Sequence, residues 1–271
     1  MKRNKKKRGR ILGEEEKMEK FEVIPGAKRL ITSLRDMGYD FSTAVADLID
    51  NSIEAGALRV DILIGFYGND SCVRISDDGK GMTSEELKEA MRYGSEREYH
   101  EDDLGKFGLG MKTASMSQCQ CFSVASRTNS TNSREIPVFC WDLSHIEKTN
   151  KWEILDLKKE GVEFIKAPLD KHTGTVVLWE RLDRIINFKN PEGNAARKKL
   201  ILMCRELETY LGMVFHKFLS NEVQGKELEI YLNNNKIKPW DPFARNEPKT
   251  NILLPIKIKL VREGFEAIPL S

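Results

Sequence analysis

The sequence has few cysteines, no long hydrophobic run and almost no net charge, and each of these absences excludes a class of protein. Its five cysteines, an odd number in 271 residues, argue against a disulfide framework and predict a reducing, cytoplasmic compartment. No apolar stretch approaches the length of a membrane-spanning helix. Lys and Arg number 44 against 42 Asp and Glu, a net charge of +2, so the body has no overall electrostatic preference for nucleic acid.

The start of the chain departs from this balance. Residues 2–10 hold seven Lys and Arg and are followed by the acidic run 14–16. A solvated, disordered tail over residues 1–20 is one interpretation, and contact with the phosphate backbone of DNA is the other. No apolar stretch follows, so the run is not a signal peptide.

Cys119 and Cys121 form an isolated C-x-C pair. No second pair with matching spacing accompanies it, so packing at a strand or helix end is our interpretation, with a metal site as the alternative.

Hydrophobic periodicity predicts helices and strands in an order that indicates the fold class. Because several strands follow one another and βαβ alternation is absent, we predict an α+β, two-layer sandwich with a mixed, largely antiparallel sheet. The predicted helices span 27–37, 41–55, 85–92, 111–117 and 195–219. The predicted strands span 58–66, 72–76, 121–127, 137–143 and 175–180, with a hairpin over 228–238.

One face of the predicted helix 41–55 carries Asp47, Asp50, Asn51 and Glu54, spaced so that they share a face. Asparagine is a poor choice in mid-helix, because its amide competes for backbone groups. Its oxygen can ligate Mg²⁺, which accepts few protein ligands, and an acid one turn earlier can orient or deprotonate a water. A solvated helix face is the alternative.

Two further segments combine glycine with charge. In residues 76–82, Asp77 can accept a hydrogen bond from an exocyclic amine such as that of adenine, and Gly81 lets a planar ring approach the backbone. An ordinary acidic turn is the alternative. In residues 105–112, glycines before a helix offer backbone amides to phosphates, and Lys112 adds a positive charge.

These motifs resemble those of the GHKL ATPases, the superfamily of gyrase B, MutL, the ninety-kilodalton heat-shock chaperone and histidine kinases. Residues 45–57 resemble its N-box, 76–82 its D-x-G-x-G motif, 104–112 its glycine-rich lid motif and 172–177 its G-T-x-V strand. All four occur in the family order, and the lid motif is most similar to that of bacterial Morc-like proteins. The resemblance implies the Bergerat fold, with ATP and Mg²⁺ as cofactors.

The resemblance also implies a role for individual residues. Asn51 would ligate Mg²⁺, and Asp77 would accept from the adenine amine with the help of a water near Thr175. Gly81 and Met82 would form the floor of the adenine pocket. The residues that would hold the triphosphate are Gly105, Gly108, Gly110 and Lys112. Phe107, Leu109 and Met111 are the remaining implied cofactor-binding residues.

The implied catalytic base departs from the pattern of gyrase B and MutL, which have a glutamate four residues before the asparagine. This sequence has Asp47 there, and the missing methylene withdraws the carboxylate by about 1.5 Å. Misplacement on that scale can cost about a hundredfold in rate. We therefore expect nucleotide binding accompanied by slow hydrolysis.

The loop 93–110 would be a lid whose closure on ATP drives homodimer formation, as in the relatives. We expect a tail over 1–20, an ATP-binding domain over 21–222, and the start of a truncated, transducer-like domain over 223–271. A histidine-kinase-type phosphotransferase and a non-hydrolysing nucleotide-binding module remain the alternatives. DNA is a further partner that the basic run suggests.

Overall fold

The computed structural model describes residues 21, 23–36, 39–94, 110–130, 135–158, 161–223, 227–245 and 247–251. No helix among these residues is long and apolar enough to cross a membrane. The predicted tail over 1–20 and residues 252–271 of the predicted transducer-like domain lie outside the described residues.

Eight helices and eight strands make up the described part of the chain. The helices are α1 (Ala27–Arg35), α2 (Phe41–Glu54), α3 (Ser84–Met91), α4 (Gly110–Gln118), α5 (Leu143–Thr149), α6 (Glu163–Lys166), α7 (Asn194–Val214) and α8 (His216–Leu219). The strands are β1 (Arg59–Gly65), β2 (Cys72–Asp77), β3 (Cys121–Arg127), β4 (Val138–Asp142), β5 (Leu155–Asp156), β6 (Gly174–Glu180), β7 (Glu229–Leu232) and β8 (Asn235–Lys236).

All eight strands form one sheet in the order β5-β4-β3-β6-β2-β1-β7-β8. Among the described strands, only the β1–β7 pair is parallel, and every other neighbouring pair is antiparallel. The predicted α+β class with a largely antiparallel sheet is therefore confirmed. The predicted hairpin is present as β7 and β8, and it extends this same sheet. The division into an ATP-binding domain and a transducer-like domain stays a prediction.

The main hydrophobic core lies between the sheet and the helices α1, α2, α4 and α7. A smaller cluster covers the opposite face around Ala125, Val176 and Leu178, beneath α6 and the 3₁₀ turn Ala167–Leu169. The sheet is therefore buried on both faces near its centre, and β2, β3 and β6 lie at that centre.

Local capping sets the start of the helices that frame the site. The Asp40 side chain accepts from the Thr43 amide at 3.0 Å and so caps α2. Thr83 and Glu86 form a reciprocal capping box at α3, which satisfies amides that have no partner within the helix. These caps explain why both helices begin close to where the sequence predicts.

The long helix predicted over 195–219 is wrong in one respect, because it divides into α7 and α8 at Phe215. That residue leaves the helical conformation, with φ −97° and ψ 15°, and its ring is almost fully buried. Hydrophobic periodicity continues across the break, which is why the sequence pattern does not reveal it.

Candidate functional site

Asp77, at the end of β2, connects three segments that are distant in the sequence. Its Oδ2 accepts from the Ser52 hydroxyl on α2 at 3.1 Å. Its Oδ1 accepts from the Thr175 amide at the start of β6 at 3.1 Å and from the Gly79 amide at 2.9 Å. The structure thereby brings together the predicted N-box, D-x-G-x-G and G-T-x-V segments.

Burial dominates the electrostatics of Asp77, whose exposed fraction is 8%. Burial raises the pKa of this carboxyl to about 6, and the hydrogen bonds from Gly79, Ser52 and Thr175 oppose that rise. The group is therefore largely ionised at neutral pH. A carboxylate can accept about four hydrogen bonds, and Asp77 accepts three within the protein. It can therefore bind a further hydrogen-bond donor such as an amine.

The turn after Asp77 is held against the end of α2. Asp78 Oδ1 accepts from the Leu58 and Arg59 amides at 2.8 and 2.9 Å. The Lys80 amide donates to the Ala55 carbonyl at 3.0 Å. These bonds fix the position of the glycines that follow.

Gly81 and Gly174 both have a backbone conformation that favours glycine, and both lie too close to the backbone of a neighbouring strand to accommodate a side chain. Both have positive φ, +69° and +142°. A Cβ on Gly81 would lie 1.9 Å from the Arg127 carbonyl oxygen, and one on Gly174 would lie 1.9 Å from that of Asp77. The space that a side chain would fill is thus occupied by strand backbone, whereas the sequence argument assigned that space to a planar ring.

Ser126 on β3 is a further member of the site that sequence reasoning missed. Its hydroxyl oxygen accepts from the Met82 amide at 2.8 Å and lies 2.9 Å from Thr175 Oγ1 and 3.0 Å from the Gly174 carbonyl oxygen. A serine inside an apolar strand gives no sequence signal for this role. Ser52 was also missed, although a small polar residue one position after Asn51 in the N-box segment was a usable signal.

The acidic face of α2 lies beside this network. Asn51 is exposed, whereas Asp47 and Asp50 are half-buried. Burial, then the charges of Asp47 and Glu54, raise the pKa of Asp50 to about 6. Burial also raises the pKa of Asp47, and a hydrogen bond from the Tyr39 hydroxyl opposes that rise.

These residues fit a magnesium ion that is coordinated mainly by water and by the phosphates of a bound nucleotide, with few protein ligands. The described residues contain no group of three or more His, Cys, Asp or Glu that could hold a metal. Mg²⁺ characteristically uses one or two protein oxygens and completes its shell with water and phosphate. Asn51 meets that requirement, because it is exposed and can offer one side-chain oxygen. It lies on the same helix face as Asp47 and Asp50, whose carboxyl pKa values are raised.

The glycine-rich segment is only partly described. Gly105, Phe107, Gly108 and Leu109 lie outside the described residues, and Gly110, Met111 and Lys112 form the first turn of α4, which packs against α2.

Lys112 is 2% exposed, and its Nζ donates to the Ala90 carbonyl of α3 at 2.7 Å. Burial lowers the pKa of Lys112 to about 8. Its predicted phosphate contact stays a prediction, and the contact with Ala90 was not foreseen.

The C-x-C pair occupies buried packing positions. Cys119 and Cys121 are both buried, and the described cysteines are free thiols. Cys119 Sγ donates to the Ser115 carbonyl at 3.1 Å, and Cys121 Sγ lies 3.2 Å from Cys140 Sγ. These contacts agree with packing as the interpretation of the pair.

Comparison with known proteins places this geometry in a family context. A family model described as histidine kinase-, DNA gyrase B-, and HSP90-like ATPase matches residues 39–175. The chain is 36% identical over 92 residues to the DNA mismatch repair protein MutL of Shewanella loihica, covering 32% of this chain and 14% of that protein.

Two other proteins named DNA mismatch repair protein MutL are similar. The one from Azorhizobium caulinodans is 34% identical over 93 residues, covering 33% of this chain and 15% of that protein. The one from Halobacterium salinarum is 41% identical over 51 residues, covering 19% and 8%. This chain therefore spans at most 15% of the length of these three relatives.

Proposed function

The chain belongs to the family of histidine kinase-, DNA gyrase B- and HSP90-like ATPases, and from this premise we propose that it is a Mg²⁺-dependent ATP switch with slow ATPase activity. The observation that carries the proposal is the buried Asp77 carboxylate, which hydrogen bonds join to Ser52 of α2 and Thr175 of β6. That arrangement joins three of the four motif segments and supports a shared nucleotide site.

Asp77 would recognise the base. Its carboxylate accepts hydrogen bonds, so it favours an exocyclic amine such as that of adenine over a carbonyl. The Thr175 hydroxyl would hold a bridging water beside the amine. Gly81 and Met82, fixed against β3 by the Met82–Ser126 bond, would border the base.

The start of α4 and the exposed face of α2 would bind the triphosphate and its metal. The first amides of a helix lack partners within the helix and carry partial positive charge. The Asn51 side-chain oxygen would complete the Mg²⁺ shell. The residues proposed for the phosphates are Gly105, Phe107, Gly108, Leu109, Gly110, Met111 and Lys112.

Asp47 would be the general base. Its half-buried carboxylate lies one helical turn before Asn51, and it would remove a proton from the attacking water. Because its side chain is one methylene shorter than glutamate, hydrolysis would be slow. When bound, Mg²⁺ supplies charge stabilisation at the phosphate oxygens.

A nucleotide titration with Mg²⁺ removed and restored tests the binding proposal. We expect ATP binding that weakens strongly without Mg²⁺ in the intact protein and depends little on Mg²⁺ in Asn51→Ala. Phosphate release, measured for the intact protein and for Asp47→Ala, then tests hydrolysis. Tight binding without release in the intact protein would identify a non-hydrolysing nucleotide-binding module instead.

We propose in addition that nucleotide binding drives homodimer formation. The support is membership of this ATPase family. Gel filtration with and without a non-hydrolysable ATP analogue should show that the analogue shifts the protein from a monomer to a dimer. A single unchanged species under both conditions would refute the switch.

DNA is the further partner that we propose. The relatives are named for DNA mismatch repair, and residues 2–10 carry seven basic side chains. Fluorescence anisotropy with a short duplex should show binding that weakens steeply between about 50 and 200 mM salt, and removal of residues 1–10 should abolish it. Within the family, the lid motif supports a place beside the Morc-like proteins.

A further inference from the structure

Ser126 lies at the centre of a hydrogen-bond network behind the proposed base site. Its side chain is fully buried in β3, and its hydroxyl contacts Met82, Gly174 and Thr175. Those three residues come from the turn after β2 and from the start of β6. One hydroxyl therefore links the two segments that border the base.

Counting protons determines how this hydroxyl is used. A serine hydroxyl has one proton to donate and two lone pairs that accept. The Met82 amide has only a proton to offer, so Ser126 accepts there. The Gly174 carbonyl oxygen can only accept, so the Ser126 hydroxyl donates its proton to that oxygen at 3.0 Å. The second lone pair of Ser126 then remains for Thr175 Oγ1, 2.9 Å away.

The orientation of the Thr175 hydroxyl follows from this count. Its proton points back to Ser126, so its lone pairs point away from Ser126. Thr175 is only partly buried, so those lone pairs are accessible. The nearby Asp77 carboxylate can only accept hydrogen bonds. Asp77 and Thr175 would therefore both present acceptors to the proposed base site.

We propose that Ser126 is a specificity-determining positioning residue, which selects a nucleotide base carrying an exocyclic amine by fixing Thr175 as an acceptor. This inference rests on the proposed nucleotide-binding function. Thr175 and Asp77, both acceptors, would take the two protons of the bridging water, which would then present only lone pairs to the base. Those lone pairs accept from an amine but oppose the lone pairs of a carbonyl, and unpaired acceptors are unfavourable. Ser126 lies behind the strand and acts through Thr175.

The substitution Ser126→Ala tests the assignment, because it frees the Thr175 proton to turn toward the bridging water, which can then donate a proton to a carbonyl. We expect the ratio of the ITP to the ATP dissociation constant to fall about three- to tenfold, the effect of one hydrogen bond between neutral groups, because the base of ITP has a carbonyl where adenine has its amine and carries no other exocyclic amine. Ser123→Ala is the matched control: Ser123 lies on the same strand, is 2% exposed, and hydrogen-bonds to Cys140 outside the site. The control should leave the ratio unchanged even if both variants lose thermal stability.

Thr175→Val provides a second measurement if Ser126→Ala does not fold. It removes the oriented hydroxyl and should lower the preference for ATP, whereas Thr175→Ser should keep it. An unchanged preference in folded Ser126→Ala or in Thr175→Val, with ATP still bound, would overturn this inference alone. Absence of ATP binding by the unsubstituted protein would overturn the proposed function and the inference together.

Discussion

Gly81→Ala should destabilise the protein much more than Gly56→Ala, although both glycines have similar backbone conformations. Their φ values are +69° and +75°, so both substitutions place a side chain in the left-handed region, at a cost of about 1–2 kcal/mol. The two sites differ in surroundings. A Cβ at Gly56 would meet no atom within 4 Å, whereas one at Gly81 would lie 1.9 Å from the Arg127 carbonyl oxygen.

The magnitude follows from how far backbone would have to move. Ordinary contacts of a Cβ begin near 3.4 Å, so about 1.5 Å of separation is missing at position 81. The obstructing atom is a backbone atom of Arg127, the last residue of β3, which pairs with Gly174 of β6 and cannot turn aside like a flexible side chain. Overpacking of this kind costs about 1–3 kcal/mol. We therefore expect a loss of about 1–2 kcal/mol for Gly56→Ala and about 2–5 kcal/mol for Gly81→Ala.

Urea denaturation followed by tryptophan fluorescence measures both free energies of unfolding. ATP affinity should also fall in Gly81→Ala, because movement of the turn displaces Asp77, while Gly56→Ala should bind normally. If the two unfolding free energies agree within about 0.5 kcal/mol, the close approach of the turn to β3 does not exist in solution.

Three further predictions concern single side chains. The folded-state pKa of Asp77 is raised from 3.8 to about 6, so its contribution to stability is fully present below pH 3.8 and is lost as the pH rises through 6. Unfolding measured between pH 4 and 7 should show the protein gaining up to about 3 kcal/mol over Asp77→Asn toward the acid end, and parallel pH curves would disprove the burial argument. Asp47→Glu should raise the rate of phosphate release by up to about a hundredfold by restoring the carboxylate's reach, and a rate as low as that of Asp47→Ala would refute it. Lys112→Met should weaken binding of ATP more than that of adenosine if the lysine contacts phosphate, whereas equal weakening would mean that its contact with the Ala90 carbonyl is its only role.

The sequence predicts this fold well where the information is local. Strand β3 has the predicted bounds, and the strands around it differ from their predicted bounds by one residue, because side-chain alternation and turn residues are properties of short segments. The capping box that begins α3 is local as well, because Thr83 and Glu86 lie within four consecutive residues. The motif order likewise lies in the sequence, and the match of the family model to residues 39–175 confirms the superfamily.

Other features of the site depend on residues far apart in the chain. Nothing near Ser126 in sequence indicates that it contacts Met82 and Thr175, 44 and 49 residues away. Lys112 is a plausible phosphate ligand by motif, yet its Nζ lies on the Ala90 carbonyl because α4 packs beside the end of α3. The sequence alone therefore predicted the longer helices and strands and the superfamily, whereas it did not predict α5, α6 or β5. The tertiary structure decided hydrogen-bond partners, burial and the need for Gly81, because those depend on atoms that only folding brings within a few ångströms.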